Sequence, residues 1–272
     1  EDGDFMVLDG HFYVKKALYK ILERNIKNNV NTMLLGPTGI GKTELVHYVC
    51  QALTKKLTIM DMGTMADPVM SLVGTHVMHV EEGKAISKFS KSRFSELIQK
   101  PGVILMDEIN RAPASSNNLL FPCTDFRREL PMEYNFEDKT PVSIHKNCMF
   151  ISTANIGSQY TGTHKLDKAL EDRFMLIEVE PLPQAETLKT MKYQFPKVEE
   201  AVMERCVAAY FKIKEAHEKF EIPFVLSMRH LKLIAGMIQD GFTAYDAYYV
   251  ICQGVGRAEG IKAAQAIVDA LK

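Results

Sequence analysis

Apolar residues change their spacing repeatedly along this chain, and the changes mark out its elements. Val14, Ala17, Leu18, Ile21, Leu22 and Ile26 recur at three- and four-residue steps, which predicts one helix after a polar lead-in. Asn25, Asn28, Asn29 and Asn31 are expected to end it. Short apolar runs at 32–35, 57–60, 103–106, 149–155 and 175–179 have the length of buried strands. Asp67-Pro68 reads as a helix start, cap first and proline at the first helical position. Residues 129–134 and 141–145 flank a turn-like Asn135-Phe136-Glu137-Asp138-Lys139, the pattern of a hairpin. A helix is expected over 166–174. Pro181 and Pro183 then break the pattern, and only helical periodicity follows, at 184–194, 197–219, 227–240, 243–253 and 260–271. The expected division is an α/β domain over 1–180 and an all-helical domain over 181–272.

Composition narrows the class. The 272 residues are 46% hydrophobic and 25% charged, with a formal net charge of −1, as in an ordinary globular protein with no global pull toward nucleic acid. No apolar run approaches the ~20 residues that cross a bilayer. Cys50, Cys123, Cys148, Cys206 and Cys252 are scattered without a C-x-x-C pair, so they read as small core residues in a reducing, cytoplasmic setting.

The chemistry concentrates after the first apolar run. Gly36-Pro37-Thr38-Gly39-Ile40-Gly41-Lys42-Thr43 fits G-x-x-x-x-G-K-[ST], with a strand pattern before it and a helical pattern after it. The glycines let successive amide N–H groups turn inward as a nest for phosphate oxygens, and the helix start adds its positive dipole end. Lys42 supplies a cation for the outer phosphates and Thr43 a hydroxyl for Mg2+. The run at 103–106 ends in Asp107-Glu108. At the carboxyl end of a strand in an α/β sheet, Asp107 can hold the magnesium shell of ATP and Glu108 can polarise the attacking water. Asn155, at the end of another strand, is placed to bond the γ-phosphate or that water. Between them, Gly74 and Gly83 bracket a polar segment followed by Lys84, Lys88, Lys91 and Arg93. It reads as an inserted loop, either simply solvated or facing a partner.

The set resembles the AAA+ ATPases over nearly the whole chain. Gly36 to Thr43 looks like Walker A, Val103 to Glu108 like Walker B, Asn155 like sensor 1, Arg173 like an arginine finger and Arg229 like sensor 2. Asp107-Glu108-Ile109-Asn110-Arg111-Ala112-Pro113, Ala169-Leu170-Glu171-Asp172-Arg173-Phe174 and Leu226-Ser227-Met228-Arg229 are similar to the MoxR branch, with its CbbQ/NorQ and CobS-like members. Leu72-Val73-Gly74 matches the start of that branch's helix-2 insertion, while Phe89-Ser90-Lys91-Ser92-Arg93-Phe94 departs from the G-P-L that often follows it. The resemblance implies a five-stranded parallel sheet, order 5-1-4-3-2, sandwiched by helices and followed by an α-helical lid. It implies a homo-oligomeric ring, usually a hexamer, with ATP at each subunit interface. Arg173 would act across that interface, although it could also simply pair with Asp172. Arg229 would act within its own subunit.

Three functions fit these features: remodelling of a client protein (in this family often one with a von Willebrand A domain), nucleic-acid translocation, and the ATPase role in a metal chelatase. The neutral charge and the absence of a zinc finger, helix-turn-helix or RNA-binding signature favour the first over the second.

Overall fold

The computed structural model describes residues 4–155 and 166–271. It opens on an antiparallel hairpin of β1 (Phe5–Leu8) and β2 (Phe12–Lys15), where a polar lead-in is expected. Val14, which the spacing assigns to the first helix, is buried on β2. Helix α1 (Lys16–Lys27) buries Leu22 and Ile26. Asn25 does not end it. That side chain is buried inside the helix, and its Nδ2 donates to Thr32 Oγ1 at 3.0 Å and to Met175 Sδ at 3.1 Å. An amide satisfied in this way costs little to bury.

The next elements are β3 (Thr32–Gly36), α2 (Lys42–Ala52) and β4 (Leu57–Asp61). A turn over Val69–Val73 follows, one π-helical turn in place of a full helix. Asp67 Oδ1 caps it, accepting from Val69 N and Met70 N. The inserted segment is not a loop. It forms a regular two-stranded ribbon, β5 (Gly74–Glu81) against β6 (Lys84–Lys91), joined by Glu82 and Gly83, both at positive φ. Short helix α3 (Arg93–Leu97) leads to β7 (Gly102–Asp107), and α4 (Ser116–Thr124) follows. The expected hairpin pairs only β8 (Glu129–Leu130) with β9 (Val142–Ser143). Then come β10 (Cys148–Asn155), α5 (Lys168–Glu171), which is shorter than the pattern at 166–174 predicts, and β11 (Met175–Glu178).

Five strands make one parallel sheet in the order β11-β3-β10-β7-β4, which is 5-1-4-3-2 in strand sequence. β10 lies at its centre and is buried along its whole length. Parallel register brings Gly36, Asp107 and Asn155 to the same edge: Asn155 is opposite Gly36, and Asp61 is opposite Asp107. A core including Met33, Leu72, Phe94, Met106, Leu120 and Phe150 packs on the sheet.

The remaining helices are α6 (Gln184–Gln194), α7 (Glu200–Glu218), α8 (Met228–Gln239) and α9 (Ala244–Asp269). Their core includes Met203, Val207, Tyr210, Ile213, Leu231 and the fully buried Tyr248. The packing divides the chain into two compact units. One holds 17–37 and 41–179, and the other holds 38–40, 180 onward and the residues before 17. The β1–β2 hairpin thus groups with the helices: His11 stacks on Tyr193, and its carbonyl accepts from Thr190 Oγ1 at 3.2 Å. All five cysteines are buried, and burial pushes Cys50, Cys148 and Cys206 up to about 11 and Cys252 to about 12, so these four carry no thiolate at neutral pH. Among the described residues no helix is long and apolar enough to cross a membrane.

Two helices are expected over 243–253 and 260–271, and α9 accordingly consists of two helical stretches that meet at a kink at Arg257 (φ 54°, ψ −161°). A Cβ at Gly256 would lie 2.5 Å from the Phe224 ring, and one at Gly260 2.8 Å away, so the two glycines form the seat for that ring. Gly254 faces open space. Gly256→Ala should therefore destabilise by about 1–3 kcal/mol through overpacking, while Gly254→Ala should stabilise by about 0.5–1 kcal/mol. Urea midpoints of the two variants would separate these cases; equal effects would remove the Phe224 seat as the constraint on Gly256.

Candidate nucleotide site

The loop between β3 and α2 has the geometry that its glycines permit. Gly39 (φ 80°) and Gly41 (φ 87°) are left-handed, and Gly41 caps α2. Pro37, Thr38, Gly39, Ile40 and Gly41 are half-buried. Amides at such a turn point toward one concavity, at the positive end of α2. Lys42 is only 7% exposed. Its ammonium donates to Gly36 O and Pro37 O at 2.8 Å each and to Asn155 Oδ1 at 2.9 Å. A buried ammonium demands such acceptors.

Thr43 Oγ1 donates to Asp107 Oδ1 at 2.9 Å. The same carboxylate oxygen accepts from Thr153 Oγ1, and Thr153 Oγ1 accepts from Glu108 N at 2.9 Å. Glu108 adopts a left-handed backbone (φ 55°, ψ 47°) that turns the chain off the end of β7. Asn155 Nδ2 donates to its Oε1 at 2.9 Å, and Arg111 Nε lies 3.1 Å from its Oε2. Asn110 is buried and donates to Asn155 O at 2.9 Å, fixing the end of β10. Lys42, Thr43, Asp107, Glu108 and Asn155 thus form one connected cluster. Thr153, Asn110 and Arg111 belong to it but escape the spacing argument. Only the i, i+2 relation of Thr153 to Asn155, which puts both on one face of a strand, hints at the first.

The donor set suits a nucleotide with Mg2+. An ammonium and a backbone nest match polyphosphate, and a hydroxyl beside a carboxylate offers hard oxygens for magnesium, which keeps most of its other ligands as water and phosphate.

Arg173 and Arg229 are the two further candidates. Arg173 lies over the Phe121 ring, 4.6 Å from its centroid, and its Nη2 is 3.5 Å from Asp125 Oδ2. It also donates to Ala169 O. Asp125, not Asp172, is the carboxylate it meets here. Hydrogen bonds from Arg127 hold that carboxyl at about 2, with the Arg173 charge adding to the effect. Arg229 is exposed in the first turn of α8. That turn is set by a capping box: Ser227 Oγ accepts from His230 N, and His230 Nδ1 accepts from Ser227 N at 3.1 Å.

The capping box needs a neutral His230, and burial lowers its pKa. A depressed pKa means that the unfolded chain binds the proton more readily. The box therefore contributes fully above the ordinary histidine range and is lost as pH falls below it. Melting temperature should drop more between pH 7.5 and 5.5 in the wild type than in His230→Gln, whose amide caps without titrating. Equal drops would exclude the cap as the pH-sensitive element.

A family profile, AAA domain (dynein-related subfamily), matches residues 31–174, more than half of the chain. The chain is 28% identical over 181 residues to BssE of Thauera aromatica, which bears a provisional chaperone name; the match covers 64% of this chain and 60% of that one. It is 29% identical over 202 residues to the chaperone protein ClpB of Clostridium tetani, covering 64% and 22% of the two chains. The chain thus spans less than two thirds of the length of these relatives. Its fold is similar to the RuvB Holliday junction branch migration motor of Thermotoga maritima, with TM-score 0.53 at 14% identity over 94% of this chain and 67% of that one. The chain belongs to the AAA domain family, in its dynein-related subfamily, and has the fold of an AAA+ ATPase.

Proposed function

We propose that the chain is the ATP-hydrolysing module of a ring-forming remodeller of the MoxR type, acting on a partner protein. The observation that carries this is the cluster in which Lys42, Asn155 and Glu108 are hydrogen-bonded in series beside the Thr43–Asp107 pair. ATP phosphates take over the ammonium of Lys42 from the carbonyls of Gly36 and Pro37. Thr43 and Asp107 hold Mg2+, which neutralises charge on the outer phosphates. Glu108 orients and polarises the attacking water, and Asn155 reports whether the γ-phosphate is present. Arg173 completes the site from the neighbouring subunit, and Arg229 links the helical lid to the nucleotide. A von Willebrand A domain is the partner type that the MoxR likeness suggests.

The ribbon is the client-facing element in this reading. Its first strand exposes Val77, Met78 and Val80, at 40%, 65% and 76%. Exposed apolar residues suit a protein surface better than a phosphate backbone. Lys84, Lys88 and Lys91 on β6 are the observation in favour of a nucleic-acid motor, although Lys88 is already paired with Glu81.

Lys42→Ala should abolish nucleotide binding, because the buried cation for the phosphates is gone. Glu108→Gln should bind ATP and lose about 10²–10⁴-fold in turnover. Fluorescent-nucleotide titration and phosphate release measure the two; wild-type turnover in Glu108→Gln would move the base elsewhere. DNA added to the wild type should leave turnover unchanged, and stimulation would favour the motor.

Arg173→Ala subunits mixed with Lys42→Ala subunits should recover part of the activity that each lacks alone, since a trans arginine contributes ~10³-fold or more. No recovery across mixing ratios would place Arg173 outside the neighbour's site.

A further inference from the structure

The β5–β6 ribbon has two outer edges, and they differ. Glu82 and Gly83 form a two-residue turn with both φ positive, so Glu81 and Lys84 close it as a hydrogen-bonded pair. Alternation from there makes His79 with Ile86, Val77 with Lys88 and Thr75 with Ser90 the other bonded pairs. The backbone amides of Val80, Met78 and His76 on β5, and of Ala85, Ser87 and Phe89 on β6, therefore point outward. The contact of Phe89 agrees with this: its amide donates away from β5, to Glu137 Oε1 at 3.0 Å.

The β6 edge is protected. It carries Lys84, Lys88 and Lys91, and Glu137 occupies the amide at its root. Charged side chains, lysine above all, and proline are the usual means of keeping a foreign strand off an open edge. Gly74-Thr75-His76-Val77-Met78-His79-Val80 on β5 contains no lysine, arginine or proline. Among the described residues no other hydrogen bond reaches the β5 backbone from Thr75 to Val80. His76, Met78 and Val80 share one face of the ribbon. The Phe136 ring stacks on His76, with centroids 5.3 Å apart, while Met78 and Val80 are left exposed.

We infer that the outer edge of β5 accepts an extended segment of the partner protein as a third strand, with apolar side chains of that segment beside Met78 and Val80. The inference rests on the reading of the ribbon as the client-facing element. It goes further in naming how the client is held. Outward amides and carbonyls recur at every second residue, about 7 Å apart, and an extended backbone answers both kinds of group at that repeat. A phosphate backbone has acceptors for the amides and no donors for the carbonyls. Main-chain bonds to His76, Met78 and Val80 supply affinity with little dependence on sequence, and the apolar face selects segments that are apolar at alternate positions. A third strand also brings the ribbon to the size at which a sheet holds its own shape.

The probe is a short labelled peptide of alternating valine and threonine with lysine ends, titrated against the whole chain by fluorescence anisotropy. Met78→Pro removes one outward amide without touching a β5–β6 bond. Ser87→Pro does the same at the paired position on the protected edge. Met78→Pro should weaken peptide binding by about tenfold or more, while Ser87→Pro and Met78→Leu should bind as the wild type does. The same peptide with every amide N-methylated keeps its side chains and should not bind. Equal loss in Met78→Pro and Ser87→Pro overturns the proposal by making ribbon shape the determinant. Undiminished binding of the methylated peptide overturns it in favour of side-chain contact alone. Self-association that Met78→Pro abolishes, with no peptide bound by the wild type, gives the edge to a second copy and overturns it too. Turnover stimulated by carboxymethylated casein separates this proposal from the reading beneath it. Stimulation that survives Met78→Pro but not removal of residues 77–86 overturns the third strand and leaves the ribbon client-facing. Stimulation that survives the removal as well sinks the client-facing reading, and the third strand with it.

Discussion

The buried ammonium of Lys42 is the constraint to which the rest of the site answers. A charge with so little exposure needs oxygen acceptors on several sides, and the chain supplies two from the loop and one from Asn155. The third requires β10 to lie beside β3 with Asn155 opposite Gly36, so strand order and register are conditions for holding the charge. Asn155 then uses its amide nitrogen on Glu108, and Glu108 meets Arg111. Cation, amide and carboxylate are therefore not three independent groups. A change at any one alters the partners of the next, and removing Asn155 would leave a buried charge one acceptor short, which is more costly than losing a neutral hydrogen bond.

Much of this was legible in the chain because it is locally encoded. Glycines at 36, 39 and 41 between an apolar run and a helical pattern specify the loop without reference to anything distant. The five sheet strands were legible as apolar runs, but their order was not. Periodicity carries no information on which strand lies beside which, and the order came only from resemblance. Thr153 escaped, and Asn110 and Arg111 stood only inside a motif with no role of their own, because their importance arises from what the fold brings within 3.1 Å of Asp107, Asn155 and Glu108.

Other departures have equally specific causes. Val14 satisfies both a helical and a two-residue spacing, and its pairing with Met6 decides for the strand. Asn25 resembles a helix stop until Thr32 and Met175 satisfy its amide. The ribbon hid behind its lysines, histidines and glutamates. With few inward-facing apolar residues, its alternation looked like a solvated loop, and only the continuous register from Gly74–Lys91 to Glu81–Lys84 reveals it. In α9 the expected break is present at Arg257, and Gly256 and Gly260 on either side of it seat the Phe224 ring.

The ribbon divides its residues into two groups. At its root, Gly74 lies under Ser90 and Phe89, Ser92 Oγ donates to Leu72 O, His76 sits between Phe89 and Phe136, and Glu137 accepts from Phe89 N. A two-stranded hairpin is barely stable alone in water, so these contacts hold it in shape. Toward the tip, Met78, Val80, Lys84 and Ala85 are exposed and only continue the pairing of the two strands. Substitutions at the tip can change what the ribbon recognises without altering whether it folds, whereas almost any change at the root risks both. The protein thus holds, in one element, a region free to diversify and a region that is not, separated by only a few residues along each strand.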